Sequence, residues 1–291
     1  MAPEFKLDRI VLGTVQIGLP YGKRRGSGLM SEDAAEEILD AAWDMGIRNF
    51  DTAEAYGVSA ARLSDWLGKS GRLQFAHVIT KIAATLPTER IGLAASDAIG
   101  RFHGARKVTL LSHGPISARN WSAMHAASVM EDALAGQSVY ERQEALDAWS
   151  RDGVSVVQAP ANVFDSRAMI ALSDDSREMH YRSVFLQGLL LDAPSVADAR
   201  VAGSGRLAEA VGQAAAAIGT PAAALLAAAV LRASRPVDKI VLGADKPEDL
   251  MPIPAALEAP ERSVDEFLDH IARVPAPAET VLDPRTWDSK R

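Results

Sequence analysis

The sequence of 291 residues contains no cysteine. That absence excludes disulfide staples, thiolate zinc sites, cysteine-held iron–sulfur clusters and a cysteine nucleophile. Any chemistry falls to other side chains. Basic residues are outnumbered, 31 Lys and Arg against 38 Asp and Glu, for a formal net charge of −7. With a pI near 5.4 and no strongly basic face, the composition argues against nucleic acid and for a small-molecule ligand. Long apolar runs are missing too: the longest, from Pro221 to Leu231, has 11 residues, where a membrane span needs roughly 18 or more. No membrane span is therefore expected. The N-terminal MAPEFKLDRI lacks the apolar stretch of a secretory signal, and zero cysteine suits a reducing compartment. The expectation is a cytoplasmic protein.

What the sequence does have is alternation. Short β-rich runs at 9–14, 47–51, 77–81, 108–113, 136–140, 154–159, 183–187 and 240–243 are separated by longer helical stretches. The first helix has Ser31 as N-cap, Ile38, Leu39, Ala42 and Met45 on one face, and Gly46 as C-cap. Further helices are expected over 57–68, 87–104, 117–135, 141–151, 166–179, 205–218, 221–234 and 247–257, the Ala-rich pair at 205–234 being one helix more than a minimal repeat needs. A short helix at 264–273 precedes a tail carrying Pro275, Pro277 and Pro284, expected to be extended or loosely packed and to border the mouth of a barrel.

No linker divides the chain and no repeat period runs through it. Spread over eight strand–helix units, 291 residues leave about 36 for each, enough for a single-domain α/β (β/α)8 TIM barrel over 1–291. A doubly wound sheet satisfies the same alternation. In the barrel, the active site belongs where strand C-termini meet their loops.

Asp51, Lys81 and His113 stand at the expected ends of strands two, three and four, and Tyr56 follows in Asp-Thr-Ala-Glu-Ala-Tyr-Gly. A tyrosine that protonates a carbonyl near neutral pH must have its pKa lowered from about 10. A shift of about three units requires about 4 kcal/mol, which an ammonium roughly 4 Å away supplies at an effective dielectric of about 20. Lys81 is the expected source, Asp51 the carboxylate that keeps it charged, and His113 the donor that orients the substrate oxygen. The plainer alternative is a structural Asp51–Lys81 salt bridge beside two ordinary loop residues.

LGT near the first strand, FDTAEAYG, ITK and LLSH, in that order, resemble the aldo-keto reductase signature through residue 113. The LGTVQIGLPYG phrase is similar to a bacterial branch of that family associated with sugar or polysaccharide pathways. The resemblance implies a (β/α)8 barrel that holds a nicotinamide cofactor without a GxGxxG motif, which is absent here. It makes Tyr56 the general acid or base, Lys81 and Asp51 its tuning pair, and His113 the carbonyl-orienting group. It also implies cofactor contacts from Gly13, Thr14 and Asp51, from Ser138 and Gln158 to the carboxamide, and from Arg182 where the family stacks an aromatic under the ring. Gly243, Ala244 and the start of the following helix correspond to the phosphate loop. Lys246 stands where a cation near the 2′-phosphate favours NADP over NAD.

Departures accompany the likeness. Val139 replaces an Asn, and Pro252 and Ile253 replace a Glu-Asn pair that holds adenine. Ala60 replaces the Glu of Tyr-Gly-x-Ser-Glu. The implied function is NADP-dependent hydride transfer between nicotinamide and an aldehyde, ketone or sugar, by a monomer or small homo-oligomer. A cofactor-assisted sugar epimerase or lyase on the same barrel, and a non-catalytic cofactor-binding regulatory subunit, are the alternatives.

Three further features are weaker. The basic loop at 21–28 suits either capture of an anion or a solvated tip. His77, His103, His125, His180 and His270 show no metal-ligand spacing, so no metal is expected. Trp121 fits a pocket wall or a helix core equally well.

Overall fold

The barrel is built from strands too short to hold a fold alone, and the alternation of side chains along each one decides what faces inward. The computed structural model describes residues 7–22, 28–169 and 177–287. Eight parallel strands close in chain order: β1 (Ile10–Gly13), β2 (Asn49–Asp51), β3 (His77–Ala83), β4 (Lys107–His113), β5 (Leu134–Ser138), β6 (Val154–Pro160), β7 (Glu178–Arg182) and β8 (Lys239–Gly243). Pairing of β1 with both β2 and β8 completes the ring and excludes the doubly wound sheet.

Val11, Ile79, Leu111 and Val156 are fully buried and pack with Val241 in a small cluster separate from the main core. This is the barrel interior. The main core lies between sheet and helices and takes the intervening residues, such as Ile10, Leu12, Phe50 and Val78. Toward the strand N-termini the interior is polar: His77 bonds Asn49 Oδ1 at 3.1 Å and Thr109 Oγ1 at 2.9 Å, and His180 bonds Glu178 at 2.8 Å. Two residues beyond the interior Val11, Ile79, Leu111, Val156 and Val241 stand Gly13, Lys81, His113, Gln158 and Gly243, at the opposite end of the barrel. Period two thus delivers the candidate residues to one mouth.

Among the described residues the helices longer than four residues are α1 (Glu32–Asp44), α2 (Ser59–Lys69), α3 (Thr88–Gly100), α4 (Ala118–Met130), α5 (Arg142–Trp149), α6 (Pro194–Arg200), α7 (Gly205–Ile218), α8 (Ala222–Ala233), α9 (Ile253–Glu258) and α10 (Glu261–Ile271). Ser31 caps α1 by accepting from the Ala34 amide, and Gly46 turns the chain at φ +101°. The extra helical pair is α7–α8. Every residue of α8 from Ala224 to Leu231 is buried, and no single helix among the described residues is long and apolar enough to cross a membrane.

Several sequence expectations need correction. Strand seven is Glu178–Arg182 instead of 183–187. Ser183, Leu186, Gln187 and Gly188 have φ of +64°, +49°, +54° and +79°, a left-handed turn incompatible with a strand. The helix expected over 166–179 is not formed at its ends: residues 166–169 are turn and coil, Glu178 and Met179 belong to β7, and 170–176 lie outside the described residues. β5 begins at Leu134, two residues before the expected start, since α4 already stops at Met130. Pro252 splits the expected 247–257 helix into a 3-10 turn, Pro247–Leu250, and α9. The tail packs more firmly than expected, with Val281 and Leu282 buried and Arg285 stacked on Tyr140 at 4.0 Å.

Candidate active site

Asp51 is the hinge of the site. It is 3% exposed, and its two carboxylate oxygens are both engaged. Lys81 Nζ donates to Oδ1 at 2.6 Å and to the Thr52 carbonyl at 2.8 Å, while Gln158 Nε2 donates to Oδ2 at 2.7 Å. Ser138 Oγ donates to Gln158 Oε1 at 3.0 Å. Four strands are thereby joined in one buried polar chain, Lys81–Asp51–Gln158–Ser138. Buried charges are sustained only by such pairing.

Above this chain lies Tyr56, with Lys81 Nζ 5.1 Å from its ring centroid and the His113 ring edge-on at 5.8 Å. The loop that carries Tyr56 is fixed by backbone bonds from Thr52 N to Ile79 O (2.8 Å) and from Glu54 N to Lys81 O (3.0 Å). A hydroxyl cluster ties it to β1: Ser59 Oγ contacts Thr14 Oγ1 at 2.7 Å and Thr52 Oγ1 at 3.0 Å, and Thr14 Oγ1 donates to the Asp51 carbonyl at 2.8 Å. Two glycines permit the close approach. A Cβ on Gly18 would meet the Tyr56 carbonyl at 2.0 Å, and one on Gly57, at φ +59°, would meet the Gly18 carbonyl at 2.4 Å.

The expected lowering of Tyr56 by Lys81 does not occur. Burial pushes the phenol well above its ordinary pKa and Asp51 pushes it further, with Arg182 opposing. Desolvation dominates, and the Asp51 carboxylate, which holds Lys81 at 2.6 Å, adds to it. Burial also lowers the Lys81 ammonium against the pull of Asp51. His113 falls to about 4, mainly by burial and then by the charges of Lys81 and Arg182, and is a neutral imidazole at physiological pH.

A cleft of about 700 Å³ opens over these groups, lined at its inner end by Asp51, Tyr56, His113, Tyr140 and Arg182. Its outer end is lined by Gly243, Asp245, Lys246, Glu248 and Asp249. Of the expected ligand contacts, Gly13, Thr14, Asp51, Arg182, Gly243 and Lys246 line the cleft. Ser138 and Gln158 lie beneath it, bonded as described, and Ala244 is buried. Arg182 donates to the Val139 carbonyl at 2.9 Å and lies 4.0 Å from the Tyr140 ring centroid.

At the outer end the turn is closed by the chain itself. The Asp249 carboxylate accepts from the amides of Asp245 (2.9 Å) and Lys246 (3.3 Å). Two amides of the expected phosphate loop are therefore taken. Asp249, Gln16 and Tyr140 escaped the sequence reading. An acid two residues after Pro247 is a signal for such a cap, whereas nothing local marks Gln16, whose Oε1 is buried without a partner among the described residues. Residues 23–27 of the basic loop lie outside the described residues. Trp121 is buried, stacks on His125 at 5.6 Å and does not line the cleft.

A sequence profile of the Aldo/keto reductase family matches residues 9–101, a span that contains Asp51, Tyr56 and Lys81 and stops before His113. No curated protein matches the sequence. Among solved structures, the glycerol dehydrogenase of Gluconobacter oxydans is 19% identical with a TM-score of 0.71, over 95% of this chain and 94% of that one. The aldose reductase of Giardia lamblia is 14% identical with a TM-score of 0.69, over 94% and 96%. An aldo/keto reductase of Brucella melitensis is 15% identical with a TM-score of 0.61, over 90% and 93%. At these identities the likeness establishes a common fold.

Proposed function

We propose that this chain is an oxidoreductase of the aldo-keto reductase family, moving hydride between a nicotinamide dinucleotide and an aldehyde, ketone or sugar carbonyl. The observation that carries the reading is the buried Lys81–Asp51 pair directly below Tyr56 and His113, at the C-terminal mouth of a parallel barrel. The family profile over residues 9–101 adds to it.

The inner cleft fits a nicotinamide. Gln16 Oε1, buried in the wall with no partner among the described residues, is an acceptor open to an amide or hydroxyl donor, and the Gly243 backbone lies so close to Gln16 that a Cβ there would meet its Nε2 at 2.2 Å. Gln16, Gly13 and Gly243, which line the cleft, would hold the inner half of the dinucleotide. When bound, that group supplies the hydride for reduction or accepts it in the reverse direction.

The protein's share is the proton and the geometry. Tyr56, kept as a phenol by burial, gives its proton to the substrate oxygen as negative charge develops there; an alkoxide is a stronger base than a phenolate, so an upshifted tyrosine remains a competent acid. His113, neutral with a pKa near 4, donates an N–H to the same oxygen. Asp51 holds Lys81 in place, and Gln158 with Ser138 holds Asp51. The raised phenol favours the reductive direction.

The described lining of the outer cleft supports NAD over NADP. Among the described residues of that end only Lys246 favours the 2′-phosphate of NADP, whereas Asp245, Glu248 and Asp249 line the same stretch and Asp249 occupies the turn amides. The free 2′-hydroxyl of NAD, which can donate to a carboxylate, suits this end. The test is quenching of NADH and NADPH fluorescence by the purified protein. NADH is expected to bind at least tenfold more tightly, a repulsion of about 1.4 kcal/mol being that of like charges about 6 Å apart at an effective dielectric of about 40. Asp249→Asn should narrow the gap. Equal binding, or tighter NADPH, overturns the preference, and no binding of either overturns the function.

A further inference from the structure

We propose that Arg182 is the anchor for an anionic group on the substrate, a carboxylate or a phosphate, so that this cleft selects acidic carbonyl compounds over neutral ones. The inference rests on the oxidoreductase reading and specifies its substrate class. Arg182 ends β7 on the inner wall, in the same cleft as Tyr56 and His113. Its guanidinium is fixed on two sides, by the Val139 carbonyl at 2.9 Å and by the Tyr140 ring at 4.0 Å. Its other N–H groups have no acceptor, and no carboxylate pairs with it, among the described residues.

The contrast with its neighbour is direct. Arg285 stacks on the same Tyr140 ring, also at 4.0 Å, yet is held by Asp283 and by Glu141, each at 2.7 Å. Asp51, the carboxylate of the inner site, is committed to Lys81 and Gln158 and offers Arg182 nothing. A half-buried guanidinium that is already immobilised but lacks a counter-ion loses little entropy on binding an oxyanion and gains a charge-assisted, bidentate contact. Charge elsewhere in the cleft points the same way. Asp245, Glu248 and Asp249 at the outer end repel an anion, and the inner end, with Lys81 neutralised by Asp51, receives the field of Arg182. Val184, Phe185 and Leu191 supply an apolar wall beside it for the carbon skeleton.

The test compares anionic aldehydes of different reach with neutral counterparts: glyoxylate with glycolaldehyde, succinic semialdehyde with butanal, and glyceraldehyde 3-phosphate with glyceraldehyde. The readout is the ratio of kcat/KM within each pair, in which any change in cofactor seating cancels. At least one ratio is expected to exceed tenfold in the wild type, to fall with rising ionic strength, to collapse toward one in Arg182→Gln and to be partly restored in Arg182→Lys. The pair with the highest ratio tells carboxylate from phosphate. Ratios near one in the wild type, or ratios unchanged in Arg182→Gln, overturn the proposal; the latter result would make Arg182 a floor for a ring and nothing more. Calorimetric titration with succinate and inorganic phosphate keeps the question separate from turnover. If no aldehyde is reduced, the oxidoreductase reading fails. Binding of either anion that Arg182→Gln weakens at least tenfold then still supports the anchor, and absence of binding overturns it.

Discussion

Tyr56 and His113 are set by burial in opposite directions, the phenol upward and the imidazole downward to about 4. Both groups therefore keep one protonation state across the neutral range: His113 is a neutral donor above pH 5, and Tyr56 stays protonated well past its ordinary value. Carbonyl reduction is accordingly expected to show a flat kcat/KM between about pH 5.5 and 9, without a limb near the ordinary histidine value of about 6.5. A pH profile with a limb at that position would mean that His113 is charged during the reaction. The four residues of the candidate tetrad, Asp51, Tyr56, Lys81 and His113, are readable in the sequence because each stands near the C-terminal end of a recognisable strand or in the loop after it, and barrel geometry makes strand ends converge. The partners are not readable. That Gln158 bonds Asp51 depends on a contact across 107 residues, and that desolvation outweighs Lys81 depends on how deep the phenol sits.

Among the elements, β7 is the one the sequence disguised. Barrel strands are expected to be apolar on both faces, whereas Glu178, His180 and Arg182 alternate with the buried Met179 and Tyr181. The stretch just beyond, 183–187, reads like a strand and forms a turn with left-handed backbone at Ser183, Leu186 and Gln187. Glu178 explains how a charged strand is tolerated: it bonds His180 at 2.8 Å and lies 3.6 Å from Lys107 and 3.8 Å from Lys239. Burial alone would raise its carboxyl, but His180, Lys239 and Lys107 outweigh that and hold it well below the ordinary value of 4.5. A depressed carboxylate stabilises the fold fully above its unfolded value and loses that contribution as pH falls toward the folded one. Glu178→Gln should cost about 1.5–3 kcal/mol at pH 7 in denaturant unfolding, and the cost should shrink as pH falls below about 4.5. A cost that does not change with pH would show that packing, and not charge, holds this end of the barrel.

Over the whole molecule, closure in chain order turns a one-dimensional pattern into a site. Stepping two residues from the interior Val11, Ile79, Leu111, Val156 and Val241 reaches Gly13, Lys81, His113, Gln158 and Gly243. The missing cysteine, an exclusion at the level of composition, is consistent with a proton donor of the Tyr–Lys–Asp–His kind that needs no thiol. The cleft's two ends differ in sign, cationic beside the tetrad and acidic at the turn capped by Asp249, and the acid cap was hidden behind the more conspicuous Lys246. The central claim is that Tyr56 moves the proton. Its most direct measurement is the turnover of Tyr56→Phe, which removes one oxygen and keeps the ring, alongside dinucleotide binding by fluorescence quenching. Turnover is expected to fall by about 10²–10⁴-fold while the dissociation constant changes by less than about threefold. Turnover retained in Tyr56→Phe would contradict the account.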